Sequence, residues 1–242
     1  MIHSMTNRFK AIPKTIIVAA FVLVASLSFK AAETKAQDFS TGVDFYSTYV
    51  WRGTSFAGPS IQPYVELGAG GFTLGAWGSQ PFNGEGQEMD LYASYSFDFG
   101  LSLGITDYYY PPSDFFDYEE GGSHAVEINA GYGIDNFSLS ANYIINEGAG
   151  SDGGDLYFEG AYSFEPADVF IGAGNGWHTV ESMAGEDPNP DGTYDDVFSI
   201  VNMGVSTYRD IEITDSFSLP LSGSVILNPY TEQFFIVVGL SL

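Results

Sequence analysis

The sequence predicts an all-β chain: a transmembrane antiparallel up-and-down β-barrel of about 12 strands, preceded by a signal peptide. Three observations predict it. Past Gln37, apolar and polar residues alternate with period two almost everywhere. The alternating runs are each roughly 9–12 residues long, the length of a tilted membrane strand. The joints between runs are short and long in turn. The chain is 45 % hydrophobic and 16 % aromatic, too apolar for disorder, yet past Gln37 nothing approaches the roughly 20 apolar residues of a membrane helix. A barrel reconciles those two facts.

Residues 1–36 are expected to be the signal peptide. Arg8, Lys10 and Lys14 form a basic start, Ile16 to Leu27 an apolar stretch, and Thr34-Lys35-Ala36 offers small residues for cleavage. A membrane anchor is the alternative, but Lys30 interrupts the stretch too early. Residues 37–242 then form one barrel domain.

The strands are expected at 38–52, 60–70, 71–80, 88–98, 100–110, 123–133, 136–146, 155–164, 168–178, 196–207, 216–227 and 232–242. In the fourth, Leu91, Ala93, Tyr95, Phe97 and Phe99 alternate with Tyr92, Ser94, Ser96 and Asp98. Val126, Ile128, Ala130 and Tyr132 alternate with Glu127, Asn129, Gly131 and Gly133 in the sixth. Such rows cannot share one helix face; they fit the two faces of a strand. Gly70-Gly71, Phe99-Gly100, Ile134-Asp135 and Pro166-Ala167 mark tight turns. Longer polar loops fall at 53–59, 81–87, 111–122, 147–154 and 179–195, so turns gather at one barrel end and loops at the other. The limits within 207–231 are ambiguous, and whether 111–122 folds inward is open. Aromatics cluster at strand ends: Tyr49, Trp51, Tyr108 to Tyr110 and Trp177 at the loop end, and Phe97, Phe99, Phe137, Phe164 and Phe217 at the turn end. That pattern reads as two interfacial girdles.

Putting the apolar set outward points Asp44, Glu66, Asp90, Glu127 and Glu159 into the lumen, with Tyr46, Gln62, Tyr64, Tyr92, Asn129 and Asn142. Arg52 shares the parity of Asp44 and is expected inside, near the loop-end mouth. Of 7 Lys and Arg and 31 Asp and Glu, residues 1–36 hold five bases and Glu33, which leaves Arg52 and Arg209 against 30 acids. Nucleic acid is excluded as a partner, because phosphate binding needs clustered bases. Cations are the natural counterpart. The expected partners are thus outer-membrane lipid and lipopolysaccharide, with small solutes or cations in the lumen. A wet lumen would favour cations, with Arg52 as a local constriction; the alternative is a plugged interior.

Ser47-Thr48-Tyr49-Val50-Trp51-Arg52-Gly53, then Gln62-Pro63, then Gly71 to Ser79 (GFTLGAWGS), resemble the TorF-type porins. Asp90-Leu91-Tyr92 and Tyr108-Tyr109-Tyr110-Pro111 extend that resemblance, which covers roughly 40–112. It implies an outer-membrane barrel of porin type and supplies no solute.

Asp187, Asn189, Asp191, Thr193 and Asp195, around Gly192, match the oxygen-ligand spacing of a calcium loop. Phe198 stands where a bidentate Glu is expected, so Glu186 or Asp196 would have to complete the shell. The alternative is a solvated acidic turn. No cofactor is expected beyond a Ca²⁺ in residues 186–196. No cysteine is present, which excludes thiol chemistry. His124 and His178 are expected to be exposed loop residues, and no Ser/His/Asp arrangement shares a face, so the chain is not read as an enzyme. Two rivals to a pore remain: a closed structural or adhesion barrel with divalent-binding loops, and a secreted soluble β-protein.

Overall fold

Period-two alternation from Asp38 onward closes on itself in the computed structural model, which describes residues 38–84, 86–179 and 197–242. The strands are β1 (Asp38–Tyr46), β2 (Tyr49–Trp51), β3 (Thr54–Ala57), β4 (Ser60–Ala69), β5 (Phe72–Pro81), β6 (Glu88–Ser96) and β7 (Leu101–Tyr109). They continue as β8 (His124–Ile134), β9 (Phe137–Ile144), β10 (Leu156–Phe164), β11 (Ala167–Gly174), β12 (Ser199–Thr214), β13 (Phe217–Asn228) and β14 (Gln233–Ser241). Twelve make one closed antiparallel barrel in sequence order, sealed between β1 and β14 at Asp44↔Ser241. Closure removes every sheet edge from the wall. The signal peptide and the calcium-type loop, including Asp187, Asn189, Asp191, Thr193 and Asp195, lie outside the described residues.

The wall is inside-out relative to a soluble protein. Val65, Ile128, Phe158, Ile171, Val205 and Ile236 are 40–67 % exposed on its outer face, while Glu88, Asp90, Glu127, Asn142 and Asn202 are buried. An apolar belt of this extent needs an apolar surround. The lumen is narrowed by tyrosines lying flat across glycines of the next strand. A Cβ on Gly75 would fall 2.3 Å from the Tyr92 ring, and one on Gly172 2.1 Å from the Tyr157 hydroxyl. Glycine at those positions gives a large ring room to lie along the wall.

Two expectations change. The first strand does not run to residue 52: β1 ends at Tyr46, and β2 and β3 form a separate hairpin outside the wall order, so β1 pairs with β4. Alternation alone cannot tell a strand that continues in the wall from one that turns back. β12 also runs seven residues past the expected 207, to Thr214, pairing with β13 down to Thr214↔Phe217. β11 releases β12 after Asp168↔Ser206, so the β12–β13 ribbon projects beyond the turn end with Tyr208, Ile211, Ile213 and Phe217 exposed.

Candidate functional site in the loop-end mouth

The site begins with a two-residue turn. Arg52 and Gly53 have φ of 48° and 81°, between the paired Trp51 and Thr54. Two successive left-handed residues make the tight hairpin turn whose twist suits flanking strands, usually built on Asn-Gly. Arginine is the unusual choice for a left-handed position, and its side chain supplies the compensation.

The hairpin folds into the barrel mouth, where the Arg52 guanidinium donates to both oxygens of Glu127 on β8, at 2.6 and 2.9 Å. Glu127 is 1 % exposed and also accepts from Tyr108 Oη at 3.0 Å and Asn129 Nδ2 at 2.6 Å. The guanidinium carbon lies 4.3 Å from the Trp51 ring centre and 4.5 Å from that of Tyr157. Burial opposes the Arg52 charge, but the bonds to Glu127 outweigh it and hold the guanidinium pKa above its ordinary value. Backbone contacts seat the hairpin further. Asn228 Nδ2 donates to the Gly53 carbonyl at 3.1 Å, and a Cβ on Gly53 would fall 1.9 Å from the Val201 carbonyl oxygen. That carbonyl sits at a β-bulge of β12, where the register shifts opposite Gly172 and Ala173. Bulges re-aim a strand locally.

The remaining lumen acids divide by partner. Glu66 accepts from Tyr92 Oη at 2.7 Å and Ser40 Oγ at 3.3 Å. Glu159 accepts from Asn202 Nδ2 at 2.8 Å and from Tyr157. Asn129 links Thr106, Glu127 and Asn142. Asp44 lies half-buried on β1 and Asp90 buried on β6. Arg52–Glu127 is the one Arg–carboxylate pair among the described residues. Hydrogen bonds thus bring Arg52, Glu127, Asn129 and Asn142 together, with Glu159 reached through Tyr157, whereas Asp44 and Glu66 stand apart from that cluster.

Sequence reasoning missed the contribution of the aromatics. Tyr49, Trp51, Tyr108 and Trp177 do not form an interfacial girdle. Trp51 packs edge-on against Tyr108 at 5.6 Å and Trp177 at 6.1 Å, inside the mouth. Tyr49 packs against Trp77 at 5.6 Å. Tyr49 and Trp51 leave the wall with the hairpin, while Tyr108 is buried on the wall strand β7 and Trp177 in the turn after β11 packs against it. The Arg-Gly pair was the available signal for a turn. Glu88, one alternation before Asp90, is a lumen acid that the sequence reading left out.

Both histidines are buried, contrary to the expectation of exposed loop residues: His124 is 1 % and His178 3 % exposed. His178 follows β11 in a single 3₁₀ turn and packs on Trp51 at 5.3 Å. Burial, then the Arg52 charge, push its pKa down to about 3. His124 sits on the outer side of the wall, where loop 110–123 folds over it. Its Nδ1 lies 2.8 Å from Asp107 and its Nε2 2.6 Å from the Phe115 carbonyl. Both ring nitrogens are thus engaged, one by a carboxylate and one by a backbone carbonyl. Tyr118 stacks on it at 3.8 Å and donates to Asp107 at 2.9 Å. Loop 110–123 therefore fastens to the outside of the wall, although Tyr110 at its start reaches Glu88.

The family model described as "Bacterial protein of unknown function (Gcw_chp)" matches residues 30–207. No curated protein matches the sequence. Two solved structures of mutant Rh. blastica porin are similar in shape. The first has a TM-score of 0.40 at 14 % identity, over 76 % of this chain and 55 % of that one. The second has a TM-score of 0.43 at 13 % identity, over 86 % and 73 %. The chain thus spans little more than half the length of the first, and neither value carries function across.

Proposed function

We propose that this chain, which belongs to the Gcw_chp family, is an outer-membrane barrel offering a narrow acidic passage to small cations, constricted at its mouth by the Arg52 hairpin. One observation carries the reading: Arg52 is consumed by Glu127, while Asp44, Glu66, Asp90 and Glu159 face the lumen with no basic partner among the described residues. Carboxylates without bases are stable there when hydrated or facing mobile cations. The resemblance of residues 40–112 to TorF-type porins agrees with a passage. The exposed apolar belt agrees with a bilayer, and the loop end would then face outward.

The test is single-channel conductance of refolded protein in a planar bilayer under a KCl gradient. Discrete steps with a reversal potential favouring K⁺ are expected, with selectivity falling in Glu66→Gln and Glu159→Gln. Stable insertion without current overturns the passage. The hairpin packed in the mouth favours a second reading in that case, a closed barrel whose acidic loops hold Ca²⁺ or bridge to lipopolysaccharide. EDTA should then release it from lipopolysaccharide, and Asp191→Asn should weaken Ca²⁺ binding.

A further inference from the structure

Glu88 and Asp90 stand two residues apart on β6, facing the lumen beside the Arg52–Glu127 pair but outside it. They are 3 % and 8 % exposed. Glu88 accepts from Tyr110 Oη at 3.0 Å, while Asp90 Oδ1 is buried with no hydrogen-bond partner. Neither carboxylate has an ion-pair partner among the described residues. A buried carboxylate oxygen without a donor is costly, and a polar donor brought to it recovers that cost.

What surrounds them is aromatic. Trp77 on β5 and Tyr108 on β7 are the direct register neighbours of Asp90. From the hairpin, the Tyr49 ring lies 5.6 Å from that of Trp77, within electrostatic reach of both carboxylates. Ring faces attract cations and accept methylene groups. A chelated metal ion fits less well, since no three carboxylate or histidine ligands converge among the described residues and metals demand several such ligands.

We propose that Glu88, Asp90, Tyr49 and Trp77 form a binding site for a primary alkylammonium cation. Its N–H groups meet Asp90 Oδ1 and the Glu88 carboxylate, and its first methylenes lie against the two rings. The site does not rest on conduction, since a closed barrel would hold the same cation.

The experiment titrates the refolded full-length barrel in detergent with n-butylammonium, following tryptophan fluorescence and calorimetric heat. n-Butanol serves as the neutral isostere and K⁺ as the bare cation. Saturable binding of butylammonium is expected, with neither control saturating over the same range. Asp90→Asn should weaken it about 30-fold or more, the usual result of removing one partner of a buried charged contact. Trp77→Leu, which keeps both acids, should weaken it several-fold. No saturable signal overturns the site, as does equal binding by Asp90→Asn or equal competition by K⁺. Should Asp90→Asn not refold, undiminished binding by Trp77→Leu overturns it. Conductance without ammonium binding removes this site and leaves the passage; ammonium binding without conductance does the reverse.

Discussion

Two segments at the loop end fold back onto the barrel, one inside and one outside, and each is pinned by a basic side chain on a buried carboxylate. The β2–β3 hairpin enters the mouth and rests Arg52 on Glu127. Loop 110–123 lies over the outer wall and closes on His124, which rests on Asp107. Arginine stays charged at any pH a cell meets, so the inner pin is permanent. The imidazole divides its two nitrogens between Asp107 and the Phe115 carbonyl, so the outer pin rests one contact on a carboxylate and one on backbone. The difference teaches that one rim can carry two kinds of fastening, a guanidinium spanning both oxygens of one carboxylate and a ring shared between a carboxylate and a backbone carbonyl.

Arg52→Ala should break the comparison most severely. It leaves Glu127 buried and unpaired at a cost of about 3–5 kcal/mol, and the released hairpin should red-shift Trp51 emission and raise any conductance. Arg52→Lys should recover only part, because an ammonium cannot span both oxygens. Next is His178, packed on Trp51. Its pKa falls from an ordinary 6.5 to about 3 on folding, so the unfolded chain binds the proton first. Stability from this group is complete above pH 6.5 and is lost as pH falls toward 3, at up to about 1.4 kcal/mol per pH unit. His178→Leu should lose that part of the acid sensitivity in urea titrations at stepped pH.

His124→Phe should act on the other fastening alone. Removing it leaves Asp107 its bond from Tyr118 and frees the loop at a cost of roughly 1–3 kcal/mol. Faster proteolysis within 110–123, with Trp51 emission unchanged, is the expected outcome; a shift in Trp51 would mean that the two fastenings are coupled. Tyr118→Phe, which loses only the hydroxyl bond to Asp107, should give the smallest change, about 0.5–1.5 kcal/mol.

The barrel itself was legible because a two-sided wall writes its faces into every second residue. Glu66, Glu127 and Glu159 share by parity the face opposite the apolar set, which alternation alone makes readable. What was hidden had left the wall. Tyr49 and Trp51 continue the alternation of β1 without a break, so nothing in the pattern marked the fold-back except Arg52-Gly53. His124 and His178 looked exposed because they neighbour loops, and burial by a loop depends on where that loop lands.

By itself, then, the sequence determined an outward apolar belt, an acidic interior and the alternation of turns and loops, since each follows from local periodicity and charge count. Only the tertiary structure decided that Arg52 spends its charge on Glu127, that Asp90 keeps none beside it, and that one loop lies within the lumen and another outside it. Those outcomes depend on contacts between residues far apart in the chain, for which period-two alternation carries no information.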